Sequence, residues 1–441
     1  MPKCPFHKIV SSTTGDNLLF VSGSKFLLVD SNNGSILAAV GATEKEVTDQ
    51  YPDAEWISQN LLFNQSISGI GWHQSSNTLA ITNNNKDMQL WRRIPGKSWS
   101  LLNTRPIIKK TQCILFSPCG EYVFLGDKFG DVYRNAVEDP KKPAELILGH
   151  VSMLTDMSWS QDGKYIITAD RDEKIRVSKY PHAFDIERFC LGHEQFISRI
   201  LVLSNVVVSG GGDPFLIVWD YLAGTILQKL TVLDDKVDMK NTSVLSIEYC
   251  HTFKLIAVIF EHLNTVLIID ASNERKLVIK QSLETIHHPV DICFDRSGKL
   301  WMSVVAPDNE PSVYISEYID EKYTALISTH NLLSNIRNYV TETVDELPLV
   351  FEFHKLRKWS GTSSYHDQKN AQKKQRDEVF AAGKKRQNPK EAFKPKNGTM
   401  KESDDAQPPK KKTKRGGKGK LVSEQKNTLD KVESSPDPAV V

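Results

Sequence analysis

His193, Ser209 and Asp213 lie close together in the chain and are followed by Trp219. A serine, a histidine and an aspartate can perform acyl transfer: the imidazole takes the hydroxyl proton and the carboxylate orients the ring. A nucleophilic serine, however, needs a sharp and exposed turn. Ser209 ends the apolar run Val206–Ser209, which reads as a strand. The same residue types can instead satisfy one another in the interior, where an indole N–H, a hydroxyl, an imidazole and a carboxylate all need partners. A second, imperfect set supports that structural reading: His150, Thr168 and Asp172, with Ser178 where the indole would stand.

No other spacing suggests catalysis. The run Gly416-Gly417-Lys418-Gly419-Lys420 lacks the strand and helix of a phosphate-binding loop. Gly210-Gly211-Gly212 precedes a strand and so does not fit a dinucleotide fingerprint. The six cysteines form no Cys-x-x-Cys pair and no metal-ligand spacing. They read as reduced thiols, which points to the cytosol or nucleus. The expectation is a protein with no catalytic residues, no bound cofactor and no metal. A propeller enzyme would need a titratable cluster at its central channel, and none is legible here.

The elements that would hold these residues repeat. Gly149-His150 and Gly192-His193 stand 43 residues apart. The turns Ser117-Pro118-Cys119-Gly120 and Ser160-Gln161-Asp162-Gly163 are variants of one signature, and Trp219-Asp220 closes a strand. Strand, turn and strand recur at roughly 40 residues, the period of WD-type propeller blades. A four-stranded blade of this kind cannot bury both faces alone and must stack on neighbours. The expected fold is therefore all-β, a seven-bladed WD40-type β-propeller over residues 1–328. Its blades fall at about 6–40, 67–106, 109–149, 150–191, 192–230, 242–283 and 287–328, with 41–66 an insertion at the rim. Smaller sandwiches would explain the strands but not the repeated Gly-His, Ser-x-x-Gly and Trp-Asp signals. The strand that closes the ring is not legible.

Residues 329–358 read as an extension packed on the propeller. Leu332, Leu333, Ile336, Tyr339 and Val340 recur at helix spacing, and Leu347–Phe353 resembles a last strand. Residues 359–441 read as a basic, low-complexity tail that is disordered alone. The formal net charge of +2 hides a division: of 56 Lys/Arg and 54 Asp/Glu, residues 355–420 hold 21 and 7. An acidic body is thus joined to a basic tail. The compact run Lys410, Lys411, Lys412, Lys414 and Arg415 has the length of a nuclear address or a nucleic-acid patch. It could draw nucleic-acid phosphates in a salt-sensitive way. It lacks interleaved aromatics, so base stacking is not expected. The chain carries no secretory signal, and no apolar run is long enough for a membrane helix; the best, Ile197–Val208, contains Arg199 and Asn205.

One turn departs from the small polar residues usual between blade strands. Arg171, Asp172, Glu173, Lys174 and Arg176 place five charges in six residues. Such clusters are commonly solvated surface charge, but alternating charge on one propeller face also suits a partner, adding specificity and on-rate. The segment Ala169–Ser178, followed by Tyr180-Pro181 and Ile186–His193, closely resembles the WD-repeat, non-catalytic subunit of the eukaryotic tRNA (guanine-N7-)-methyltransferase. The resemblance is dense over Gly149–Ile200, looser over the rest of the propeller, and absent after about Trp359. It implies a heterodimer in which the propeller lies side-on against a separate methyltransferase subunit and stabilises it. That partner would hold S-adenosylmethionine and modify a guanine in the tRNA variable loop. Carried onto this chain, Arg171, Asp172, Glu173, Lys174 and Arg176 would lie at or beside the interface. Lys174 would bridge to the partner, Glu173 and Arg176 would brace the loop, and Asp172 would keep its turn role. The competing function is a general WD scaffold in nuclear RNA processing, ribosome assembly or chromatin. The expected location is the nucleus, with the cytoplasm also open.

Overall fold

The computed structural model describes residues 6–39, 55–56, 67–336 and 353–358, apart from short gaps at 13–14, 74, 76, 94–98, 235–236, 308–309, 325–326 and 328–330. Seven antiparallel sheets follow one another along the chain and form a seven-bladed β-propeller. Blade 1 comprises Lys8–Ser11, Asn17–Ser22, Lys25–Asp30 and Ile36–Ala39, with Glu55–Trp56 added in parallel. Blade 2 runs from Ile67–His73 to Trp99–Pro106, and blade 3 from Thr111–Phe116 to Glu145–Gly149. Blade 4 holds Leu154–Trp159, Tyr165–Asp170, Lys174–Lys179 and Ile186–Leu191. Blade 5 holds Ile197–Val202, Val207–Gly211, Phe215–Asp220 and Thr225–Thr231. Blade 6 runs from Val244–Cys250 to Val278–Glu284, and blade 7 from His288–Phe294 through Leu300–Val305 to Val313–Ser316.

The burial of each strand follows from its place in the blade. Second strands are covered on both faces by neighbouring blades and read as continuous apolar runs; Leu255–Phe260, Leu-Ile-Ala-Val-Ile-Phe, is buried throughout. Outer strands are the most exposed of each blade, and no residue of Thr225–Thr231 is fully buried. The two Ser-x-x-Gly turns have the same geometry. Gly120 and Gly163 take φ of 75° and 68°, and their N–H groups donate to Ser117 and Ser160 carbonyls. The serine hydroxyls then accept from Tyr122 N and Tyr165 N. Only glycine occupies that backbone region without strain.

Six of the seven inner strands carry a register shift at the same point. The shifts fall between Ile67 and Gly69, Thr111 and Cys113, Leu154 and Asp156, Ile197 and Arg199, Val244 and Ser246, and Pro289 and Asp291. A bulge re-aims the side chains beyond it. The residue after each bulge lines the central cavity.

Among the described residues, no strand is shared between blades 7 and 1 where the ring closes. Blade 1 takes all four antiparallel strands from the N-terminal segment, and the bridge Ile315–Ile327 supplies the outer pairing of blade 7 from its own chain. Ile9 N–H donates to Asp291 Oδ2, and Lys8 lies 3.1 Å from the same carboxylate. Phe20 packs edge-on against Trp301. Gly15, with φ of 72°, lets blade 1 approach so closely that a Cβ there would sit 2.2 Å from Arg296 N.

The extension after the propeller is partly described. Asn331–Leu333 forms a 3-10 turn, and Leu332, Leu333 and Ile336 are buried in the blade 1–blade 7 core. Tyr339, Val340 and most of Leu347–Phe353 lie outside the described residues. Phe353 itself opens a 3-10 helix, Phe353–Leu356, so it does not continue a strand. Residues 359–441 lie outside the described residues, and with them the run from Lys410 to Arg415. Among the described residues, no helix is long and apolar enough to cross a membrane.

Candidate partner-docking site

In blade 5, His193, Ser209, Asp213 and Trp219 form one buried network. His193 Nδ1 lies 2.6 Å from Asp213 Oδ2 and Nε2 lies 2.7 Å from Ser209 Oγ. Trp219 Nε1 donates to the same hydroxyl at 2.8 Å. The simplest proton assignment puts Nδ1–H on Asp213 and has Ser209 donate to Nε2 while accepting the indole N–H. Ser209 and Trp219 are fully buried. The hydroxyl is committed on both sides and closed to substrate, so the set staples strands and cannot act as a nucleophile.

Blade 4 builds the counterpart from His150 and Thr168, at 2.7 Å, but its acid is Asp170 and not Asp172. Asp170 Oδ2 lies 3.0 Å from His150 Nδ1, while Oδ1 accepts Lys174 N–H and closes the turn. The sequence expectation for Asp172 is thereby corrected. The reason lies in the register. Asp170 pairs with Leu154 where Gly211 of blade 5 pairs with Ile197. Gly211 has no side chain and cannot acquire one, because a Cβ would meet Phe196 O at 1.9 Å. Blade 5 therefore draws its acid from Asp213, farther along the turn.

Arg176 is buried and committed inward. Nε donates to Ser178 Oγ at 2.8 Å, Nη1 to Gly149 O at 2.9 Å and Nη2 to Ala183 O at 2.9 Å. Burial lowers its pKa, against which the carbonyl acceptors hold the guanidinium in place. The other loop charges divide sharply. Arg171 Nε donates to Leu356 O at 2.8 Å. Asp172 and Glu173 both pair with Lys358 Nζ, at 3.3 and 2.7 Å. Among the described residues, the Lys174 side chain has a single contact, the Asp172 carbonyl of its own loop at 3.2 Å. The other four charged side chains reach groups outside the loop: the two carboxylates meet Lys358, and the two guanidinium groups meet carbonyls and the Ser178 hydroxyl. The loop's main chain is held at both ends, since Arg171 N–H bonds Met153 O and Lys174 N–H bonds Asp170 Oδ1.

The central channel holds a titratable cluster that the sequence did not disclose. Lys8, Asp156, Arg199, Glu248 and Asp291 line a cavity of about 380 Å³. Asp156 accepts Met157 N–H and Ile200 N–H, tying blade 4 to blade 5 as Asp291 ties blade 7 to blade 1. Burial raises the Asp156 carboxyl against the pull of Arg199 and pushes Glu248 up to about 7. The two aspartates are therefore occupied as staples between blades. Among the described residues no three His, Cys, Asp or Glu side chains converge to hold a metal.

The tRNA methyltransferase TRM82 WD40 domain family matches residues 134–327. The tRNA (guanine-N(7)-)-methyltransferase non-catalytic subunit of Xenopus laevis is 33% identical over 283 residues, covering 62% of this chain and 70% of its own length. Its Homo sapiens counterpart is 31% identical and is covered over 72% of its length, with 65% of this chain. The Drosophila melanogaster relative named wuho is 36% identical over 36% of this chain and 38% of its own. Among solved structures, a chain of the mitotic checkpoint complex aligns over 69% of this chain and 88% of its own, with a TM-score of 0.54 at 13% identity. The C-terminal WD40 domain of Sif2 aligns over 70% and 80%, with a TM-score of 0.52 at 14% identity. At those identities the two structures speak for the propeller alone. The curated relatives carry the remainder: this chain belongs to the WD-repeat, non-catalytic subunits of the tRNA (guanine-N(7)-)-methyltransferase.

Proposed function

We propose that the chain docks the catalytic tRNA (guanine-N(7)-)-methyltransferase subunit through the blade-4 loop, with Lys174 as the charged contact. The observation that carries this is the division of charge within the loop. Arg171, Asp172, Glu173 and Arg176 reach groups outside the loop, whereas among the described residues the Lys174 side chain touches only a carbonyl of the loop itself. A cation on a fixed turn loses little freedom when it meets a carboxylate, which favours specific association. On this reading Arg171, Asp172, Glu173 and Arg176 support the contact and Lys174 makes it. S-adenosylmethionine belongs to the partner, and tRNA meets the pair as a complex. The run Lys410, Lys411, Lys412, Lys414 and Arg415 serves as a nuclear address and adds phosphate attraction.

Reversing the charge tests the docking. Lys174→Glu should weaken association of the purified subunits at least tenfold, the scale of a close charge pair, and lower N7-methylguanine in tRNA from cells carrying it. Normal methylation and unchanged affinity would remove Lys174 from the interface and leave a scaffold with other partners. Deleting residues 401–441 should move a fluorescent fusion out of the nucleus; undiminished nuclear signal would end the address.

A further inference from the structure

The segment Phe353–Lys358 crosses three blades and ends on the docking loop. Phe353 is buried, donates its N–H to Glu261 of blade 6, and lies 4.7 Å beneath the Arg199 guanidinium. Arg357 Nη2 donates to Gly212 O and to Thr242 O, both at 2.7 Å. Leu356 O takes the Arg171 guanidinium, and Lys358 Nζ then reaches the carboxylates of Glu173 and Asp172. Those two anions raise the Lys358 pKa, as expected of a cation held between them.

We propose that this segment is a clasp belonging to the docking site: Lys358 neutralises the two carboxylates beside Lys174, so that an acidic group of the catalytic subunit can approach that lysine. The proposal rests on the docking role given to Lys174 above. Without the clasp, an incoming carboxylate meets two like charges on residues adjacent in sequence to its target. Like charges at such range oppose association even at a wet surface. With the clasp in place, the local field at the turn is set by Lys174. Arg357 and Phe353 act as anchors, since their contacts lie on blades 5 and 6 and away from the loop. The clasp makes Lys358 a positioning residue: it touches no partner group itself.

The decisive experiment is a double-mutant comparison on the full chain, reading affinity for the purified catalytic subunit by calorimetry. Lys358→Ala should weaken association about tenfold and Lys358→Glu more, with Lys358→Arg close to the parent. In a chain already carrying Asp172→Asn and Glu173→Gln, Lys358→Ala should cost nothing further, because there is no charge left to neutralise. Lys358 is half exposed, so its loss leaves folding intact, and a thermal melt run alongside should show an unchanged midpoint. Unchanged affinity in Lys358→Ala overturns the clasp, as does a full tenfold loss in the neutralised chain. Lys174→Glu measured in the same series separates the two ideas. A loss with Lys174→Glu but none with Lys358→Ala removes only the clasp, whereas normal affinity with Lys174→Glu removes both.

Discussion

Where blade 5 holds Ile217 and Trp219, blade 4 holds Arg176 and Ser178 at the same register positions. In blade 5 the indole fills the space between strands and ends on Ser209. In blade 4 the small Ser178 leaves that space to a guanidinium, which ties three separate acceptors together. Both solutions bury the same place. The apolar one is indifferent to what lies outside, whereas the charged one fixes the Ala183–Phe184 turn and Gly149 relative to the Arg171–Arg176 loop. Blade 4 thus uses hydrogen bonds where its neighbour uses bulk, at the cost of greater sensitivity to loss of any one partner.

Four measurements would break or sharpen this contrast. Arg176→Ala should cost about 3–4 kcal/mol in chemical denaturation, because it opens a cavity and leaves buried acceptors unpaired; a loss under about 1 kcal/mol would mean the guanidinium is dispensable. Asp170→Ala should cost about 2–3 kcal/mol through the His150 and Lys174 bonds, and Asp172→Ala no more than about 0.5 kcal/mol. The reverse order would restore the acid that spacing alone suggested.

The third concerns the channel, where blade 4 contributes Asp156 and blade 5 Arg199 at equivalent positions. Glu248 faces both, together with Lys8 and Asp291, and titrates at about 7 against an ordinary 4.5. A carboxyl raised in the folded state keeps its proton longer than in the unfolded chain, so stability falls as pH rises from about 4.5 to about 7. Glu248→Gln should therefore be more stable than the parent by about 3 kcal/mol at pH 8 and nearly equal at pH 4, given about 1.4 kcal/mol per unit. Equal stabilities at pH 8 would mean that Arg199 and Lys8 already balance the charge. The smallest effect belongs to Lys174→Ala, within about 0.5 kcal/mol of the parent in a thermal melt, since the lysine side chain holds only the Asp172 carbonyl among the described residues.

The propeller was legible because its signals are local and repeated. The Gly-His pairs, the Ser-x-x-Gly turns and Trp219-Asp220 each mark a position in the blade, and a period near 40 fixes their meaning. What escaped depends on register. Asp170 and Asp172 differ by two residues, and only Asp170 stands opposite Leu154, at the position that reaches His150. The channel cluster escaped for a related reason: a bulge turns Asp156, Arg199 and Asp291 inward, and nothing in an isolated strand announces a bulge. The link from Lys358 to Asp172 joins residues far apart in the chain, which no local pattern can reveal. The charged loop itself was visible as five charges in six residues; the partners that occupy four of them were not.

The seam between blades 7 and 1 has a consequence for synthesis. Blade 1 completes its four antiparallel strands from neighbouring residues, so it can pair as soon as it leaves the ribosome and need not hold a strand in reserve. Each later blade can follow in turn as a local unit. Only one joining event waits for the end of the propeller, when Asp291 meets Ile9 across 282 residues. The growing chain is therefore a row of finished blades with two open ends, and the last blade to emerge turns the row into a ring.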